Sequence, residues 1–143
     1  LQVEEVGCGN KFWDTTFFLK ATRVWKQLRD LRTLQLLEPP RGTLKARRAA
    51  LQGLVDLQHL RSLGVMVWDD HELAIIAELS GLRDLHLVVA QKCTKAGVLQ
   101  LEKLRKEGQL QAVSVWRYDA TISVREWKQI SKRLPIDWKI SFV

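Results

Sequence analysis

The sequence predicts an α/β fold, a short curved solenoid with parallel strands on the concave face and helices on the convex face. One observation is a shared register: Leu31-Arg32-Thr33-Leu34-Gln35-Leu36, Leu60-Arg61-Ser62-Leu63-Gly64-Val65, Leu82-Arg83-Asp84-Leu85-His86-Leu87 and Leu110-Gln111-Ala112-Val113-Ser114-Val115 align residue for residue. Another is a leucine three residues before three of these segments, at Leu28, Leu57 and Leu79, with the units following one another after 29, 22 and 28 residues. The third is that the spacers carry helical rather than strand periodicity. A unit recurring at such intervals cannot bury its apolar side alone, whereas stacked neighbours share one continuous core.

Taken in chain order, Leu1-Gln2-Val3 reads as a cut-open first strand. Asp14 precedes Thr15 to Gln27, where Phe17, Phe18, Ala21, Val24, Trp25 and Leu28 recur at three and four residues and form one apolar helix face. After the second strand, Thr43 can cap a helix over Leu44 to Leu54. Asp69 with Glu72 three residues on has the form of a capping box before Leu73 to Leu79, which Gly81 can terminate. Thr94 starts the next helix, carrying Val98, Leu99, Leu101 and Leu104, and Gly108 ends it. Ser123 with Glu126 is a second capping box, ahead of Trp127, Ile130 and Leu134. Ile136 to Phe142 alternates and reads as a closing strand. With strands of three or four residues against helices of roughly 15 Å per ten residues, the helical side is expected to be the broader, which curves the array.

Length and composition suit a single domain over residues 1–143, and with the chain opening at Leu1 without a methionine the expectation is a fragment of a longer protein. No run of about 18 apolar residues exists, so no membrane span is expected. The two cysteines, Cys8 and Cys93, form no metal-ligand spacing, and a reduced cytoplasmic or nuclear setting follows as the default. The net charge of +7 is local: residues 20–61 hold ten Lys or Arg against three acids. A local acidic contact is thereby favoured over a nucleic-acid stripe along the whole surface.

The Leu-x-x-Leu-x-x-Leu-x-Leu units over residues 28–116 resemble the leucine-rich repeat family, and Leu57-Gln58-His59-Leu60-Arg61-Ser62-Leu63-Gly64-Val65 is similar to the carboxy-terminal repeats of plant nucleotide-binding immune receptors. Similar units occur in the substrate-recognition parts of F-box proteins and in bacterial effectors. The resemblance implies a ligand-sensing or substrate-adaptor segment that binds a protein and carries no cofactor. Where the family places an asparagine or cysteine after the strand, this chain has Pro39, Trp68, Ala90 and Tyr118. The family's ladder of side-chain hydrogen bonds to the loop backbone is therefore not expected. A Gly-rich phosphate loop followed by Lys and Ser or Thr is also absent from the sequence.

Strand alternation sends the leucines inward and the residues between them outward. Stacking sorts the outward residues into columns: Thr33, Ser62, Asp84 and Ala112; then Gln35, Gly64, His86 and Ser114, with Lys139 if the last strand joins; then Leu37, Met66, Val88 and Trp116. The last column is apolar where solvent is expected, and it reads either as a partner-binding strip anchored by Trp116 or as side chains turning in beneath the loop. Gly64 either opens the backbone to a partner or is a tolerated small residue. Arg32, Arg61 and Arg83 share one register position and form either a row for carboxylates or phosphates or a solubilising edge. Trp25, Trp127 and Trp138 fall on core faces, whereas Trp13, Trp68 and Trp116 fall at turns or strand ends.

Catalysis has little support, because His59, His71 and His86 accompany no nucleophile in a recognisable motif. Cys93 beside a helix start is read as structural, with a lowered thiol pKa as the alternative. Asp69, Asp70, His71 and Glu72 are metal-competent, yet acids at a helix start are expected for electrostatic reasons alone. The expectation is a non-enzymatic interaction module without metal or cofactor, binding a protein through Leu37, Met66, Val88, Trp116, Gln35, His86 and Ser114, with the basic region orienting an acidic patch of that partner. The alternative is nucleic-acid or anionic-surface binding through residues 20–61, with Trp13 and Trp25 nearby.

Overall fold

The computed structural model describes residues 5–7, 30–36, 44–107, 110–134 and 138–142, and in it six strands form one sheet. They are β1 (Glu5–Gly7), β2 (Thr33–Leu36), β3 (Ser62–Asp69), β4 (Asp84–Lys92), β5 (Ala112–Ala120) and β6 (Lys139–Phe142). Each pairs in parallel with the strand before and after it in the chain. Parallel neighbours cannot be joined by a hairpin, and among the described residues helices make the crossings from β2 to β6. Helix α1 (Leu44–Gly53), continued by a 3-10 turn over Leu54–Asp56, joins β2 to β3, and α2 (Asp70–Ala77) joins β3 to β4. Helices α3 (Lys95–Leu99) and α4 (Glu102–Glu107) lie between β4 and β5, and α5 (Val124–Arg133) lies between β5 and β6. The predicted α/β class with a parallel sheet is what the chain adopts. The helix expected over 15–27, the strand at Leu1–Val3, the Gly108 stop and the start of the closing strand at Ile136 lie outside the described residues.

The strands register as the leucine motif requires. The carbonyl of Arg32 accepts the N–H groups of both Arg61 and Ser62, at 2.8 and 2.9 Å. That of Arg61 accepts those of Arg83 and Asp84 at 2.8 and 2.9 Å, and that of Arg83 accepts those of Gln111 and Ala112 at 2.8 and 3.1 Å. The same two-fold acceptance at one register position fixes each strand's start relative to the last. Leu34, Leu63, Leu85 and Val113 then fall level, as do Leu36, Val65, Leu87 and Val115, and all eight are buried. With Leu73, Ile76, Val98, Leu104, Trp127 and Ile130 from the helices and Leu101 from the turn between α3 and α4 they form one core between sheet and helices. Burying a leucine fully contributes about 2 kcal/mol. Successive helices touch, α1 on α2, α2 on α3 and α3 on α5, so the helical layer covers one face of the sheet.

Strand length departs from expectation. β3, β4 and β5 run for eight, nine and nine residues rather than three or four, because alternation continues past the leucines through Val67-Trp68, Val89-Ala90 and Arg117-Tyr118. The expected curvature from short strands and long helices therefore has no basis in these lengths, since α2 has only eight residues. The sheet is also irregular: register shifts between Val67 and Asp69 and again between Ala90 and Gln91, and Gln91 carries a φ of 40°.

Helix starts follow the capping residues closely. Asp69 accepts the Glu72 N–H at 3.0 Å, and α2 begins at Asp70, earlier than the apolar run indicates. The reciprocal half of the expected box is displaced, because Glu72 Oε2 accepts the N–H of Trp68 at 3.3 Å. The Ser123 box closes on both sides, with Glu126 N–H to Ser123 Oγ at 3.1 Å and Ser123 N–H to Glu126 Oε2 at 2.9 Å. The helix expected from Thr94 to Gly108 is two short helices. Between them Gln100, Leu101, Lys103 and Leu104 each donate to the carbonyl three residues back, the tighter 3-10 pattern that ends one α-helix before the next begins. Gly81 does not terminate α2 through a left-handed cap, since no glycine among the described residues has positive φ.

Candidate functional site

The face of the sheet away from the helices carries the columns in the predicted order. Thr33, Ser62, Asp84 and Ala112 are level across β2 to β5, and Gln35, Gly64, His86, Ser114 and Lys139 are level across β2 to β6. Met66, Val88 and Trp116 form the next row, and Leu37 lies outside the described residues. A groove of about 460 Å³ runs over the first two rows, lined by Gln35, Ser62, Asp84, His86, Ser114 and Lys139 among others.

Trp116 stands beside this groove, 41% exposed. Its indole N–H donates to Ser114 Oγ at 2.6 Å, and its ring meets His86 edge-to-face with centroids 6.0 Å apart and planes at 66°. Such a pair contributes about 1 kcal/mol beyond area burial, so an exposed aromatic side chain is held in one orientation by two neighbours. Tyr118, two residues on and on the same face, is 54% exposed. Sequence reasoning passed over Tyr118 because the strand was expected to end at its last core residue. The alternation Trp116-Arg117-Tyr118 was the signal that could have found it.

The apolar row is not uniformly open. Met66 is 6% exposed and lies outside the main core cluster, Val88 is half-buried, and only Trp116 presents a large apolar surface. Met66 is therefore not the accessible contact residue that the pattern indicated. Gly64 opens the backbone not to a partner but to Gln35, since a Cβ there would collide with the Gln35 side-chain amide. Gln35 thus lies across β3 and forms part of the groove's floor.

The arginine row is divided. Arg61 Nη1 donates to the carbonyls of Gln58 at 3.0 Å, Leu60 at 3.1 Å and Gly81 at 3.3 Å, and Gly81 leaves room for it because a Cβ would lie 2.9 Å from that nitrogen. Its role is to tie together the turns before β3 and β4, whereas Arg32 and Arg83 are exposed. Of the wider basic region, Arg48 pairs with Asp69 at 2.6 Å, and Lys20, Arg23, Lys26, Arg29 and Arg41 lie outside the described residues, as do Trp13 and Trp25.

The acids at the start of α2 are engaged within the fold. Burial alone would raise the Asp69 pKa, but the Glu72 N–H and the Arg48 guanidinium together hold it below its ordinary value of 3.8. Asp70 accepts the Thr94 N–H at 2.8 Å and its hydroxyl at 2.5 Å. No group of three or more metal-competent side chains converges among the described residues. Burial pushes the Cys93 thiol up to about 12, with Asp70, Glu72 and Asp69 adding to the rise against the Ala90 N–H, and its Sγ lies 3.5 Å from the Val67 carbonyl. The alternative of an activated cysteine at a helix start is thereby overturned. His59 and His71 are exposed and apart from the groove. Among the described residues, no helix is long and apolar enough to cross a membrane.

No family model, curated protein or solved structure matches this chain.

Proposed function

We propose that this chain is a non-catalytic protein-interaction module, a short solenoid of leucine-rich-repeat type that binds a protein partner through the sheet face opposite its helices. Sequential parallel strand order, one crossing per strand and the level leucines support the solenoid reading. Neighbouring strands are about 4.8 Å apart and packed helices 8–10 Å apart, so a helix on nearly every crossing spreads that side and leaves the strands on the inner curve. The observation that carries the binding reading is the exposed Trp116, fixed by Ser114 and His86, which both line the groove. Rigid, partly exposed aromatics are the side chains around which protein interfaces concentrate their energy.

Pull-down from cell extract with the intact chain beside a Trp116→Ala, Tyr118→Ala variant, at low and high salt, tests this reading. Loss of a specific protein in the variant, with circular dichroism unchanged, supports it. Retention of every captured protein by the variant would sink it, and capture abolished by salt alone would move the function to the basic region.

A further inference from the structure

Two opposite charges in the groove are uncommitted. Asp84 and Lys139 both line it and are both exposed, and neither side chain takes part in an ion pair or hydrogen bond among the described residues. Asp84 is the only charged member of its row from β2 to β5, with Glu5 level three strands away in β1, and Lys139 is the only formally charged one of the next row among the described residues at neutral pH. Their separation follows from the register. Asp84 is level with Ala112 and Lys139 with Ser114, so they lie two strands apart across the sheet and two residues apart along it. At usual strand spacing and rise this is about 12 Å between Cα atoms, on a diagonal.

Between them lie His86 and Ser114, both half-buried, and Ala112; Ser62, half-buried, and Gln35 across Gly64 extend the floor on the far side of Asp84. Hydroxyl and amide groups of this kind both donate and accept, which suits an exposed peptide backbone. A bound helix would offer that floor no free N–H or C=O along its middle, whereas an extended segment offers both. In extended chain side chains alternate, so residues four apart share a face and are separated by about 13 Å, which matches the diagonal within the reach of Lys, Arg, Asp or Glu.

We infer that the groove takes an extended peptide segment of the partner with a basic and an acidic side chain four residues apart, the basic one on Asp84 and the acidic one on Lys139. An apolar side chain of the same segment rests on Trp116. The inference relies on the sheet face being the binding face and adds which chemistry it selects. The groove's 460 Å³ is in the range of clefts that hold short ligands.

The test uses fluorescein-labelled heptapeptides with central Arg-Leu-Leu-Leu-Glu, Glu-Leu-Leu-Leu-Arg, Arg-Leu-Leu-Leu-Arg or Glu-Leu-Leu-Leu-Glu, titrated by anisotropy at low salt. The proteins are the full chain, an Asp84→Lys, Lys139→Asp double variant, and Trp116→Ala. Both exchanged positions are exposed, so circular dichroism should be unchanged. The expected result is binding of the mixed-charge peptides, one order favoured over the other by about threefold to fivefold, and inversion of that order in the double variant. Trp116→Ala weakens both orders alike. Equal binding of like-charged peptides, an order unchanged by the exchange, or no binding of any peptide at about 1 mM would each overturn the assignment. Loss on Trp116→Ala with no effect of the charge exchange would leave the binding face standing and remove only the charge selection; no effect of either would remove both.

Discussion

The carboxylate of Asp70 accepts both the backbone N–H and the side-chain hydroxyl of Thr94, 24 residues further along the chain. Thr94 Oγ1 in turn accepts the Gly97 N–H at 3.2 Å and so starts α3. One acid at the beginning of a helix thus sets the beginning of the next, and Gly97 is required beneath it because a Cβ there would collide with Asp70.

Asp70→Ala is expected to lower stability by about 2 kcal/mol, the cost of an unmet cap and a lost charge-assisted bond. Asp70→Asn, which keeps one acceptor, should cost about half as much. Urea unfolding of the three proteins measures this, and equal midpoints for Asp70→Ala and the parent chain would show the clasp to be without weight.

Gly64→Ala should be close to neutral for stability, within about 0.5 kcal/mol, because the atoms a new Cβ meets are the far end of a flexible glutamine and because glycine within a strand is entropically unfavourable. Its effect should fall on the groove instead. Displacing Gln35 changes the floor, so peptide or partner affinity should shift while the urea midpoint does not.

Cys93 gives a pH-dependent term of known sign. Its folded pKa, about 12, is above the ordinary 9.0, so between these values the unfolded chain has released a proton that the folded chain retains. Stability from this group is therefore full below pH 9 and declines as pH rises through that window. In a Cys8→Ser background, Cys93→Ala should flatten the alkaline limb of a stability profile, and thiol reagents should label Cys93 at the rate of opening rather than at the rate of a free thiol.

Gln91→Gly is expected to be neutral or stabilising by up to about 1 kcal/mol, since a φ of 40° disfavours any side chain with a Cβ. Thermal unfolding measures it. A marked loss of stability would mean that the Gln91 side chain compensates its own strain.

The outward columns were legible because the leucine motif fixes register, and register carries every neighbouring position with it: His86 is level with Ser114 for the same reason that Leu85 is level with Val113. What was not legible depends on reach across units. Arg61 bonding to Gly81, Asp70 to Thr94 and Gln35 over Gly64 join residues about a unit apart through side-chain geometry that no periodicity encodes. Met66 illustrates the same limit, because alternation assigned its face correctly but could not say that the face is covered there. Asp84 was visible as the single charge among Thr33, Ser62, Asp84 and Ala112, and its weight became apparent only once the groove and Lys139 were seen together.

Because each strand bonds only to its chain neighbours, no pairing in the sheet has to close a loop much longer than one repeat. The entropic barrier to assembling it is thus spread over several modest steps. Folding should begin at the long β4–β5 ribbon and spread outward unit by unit, and amide exchange should be slowest there and faster at β2 and β6, which offer only four-residue strands to the zipper.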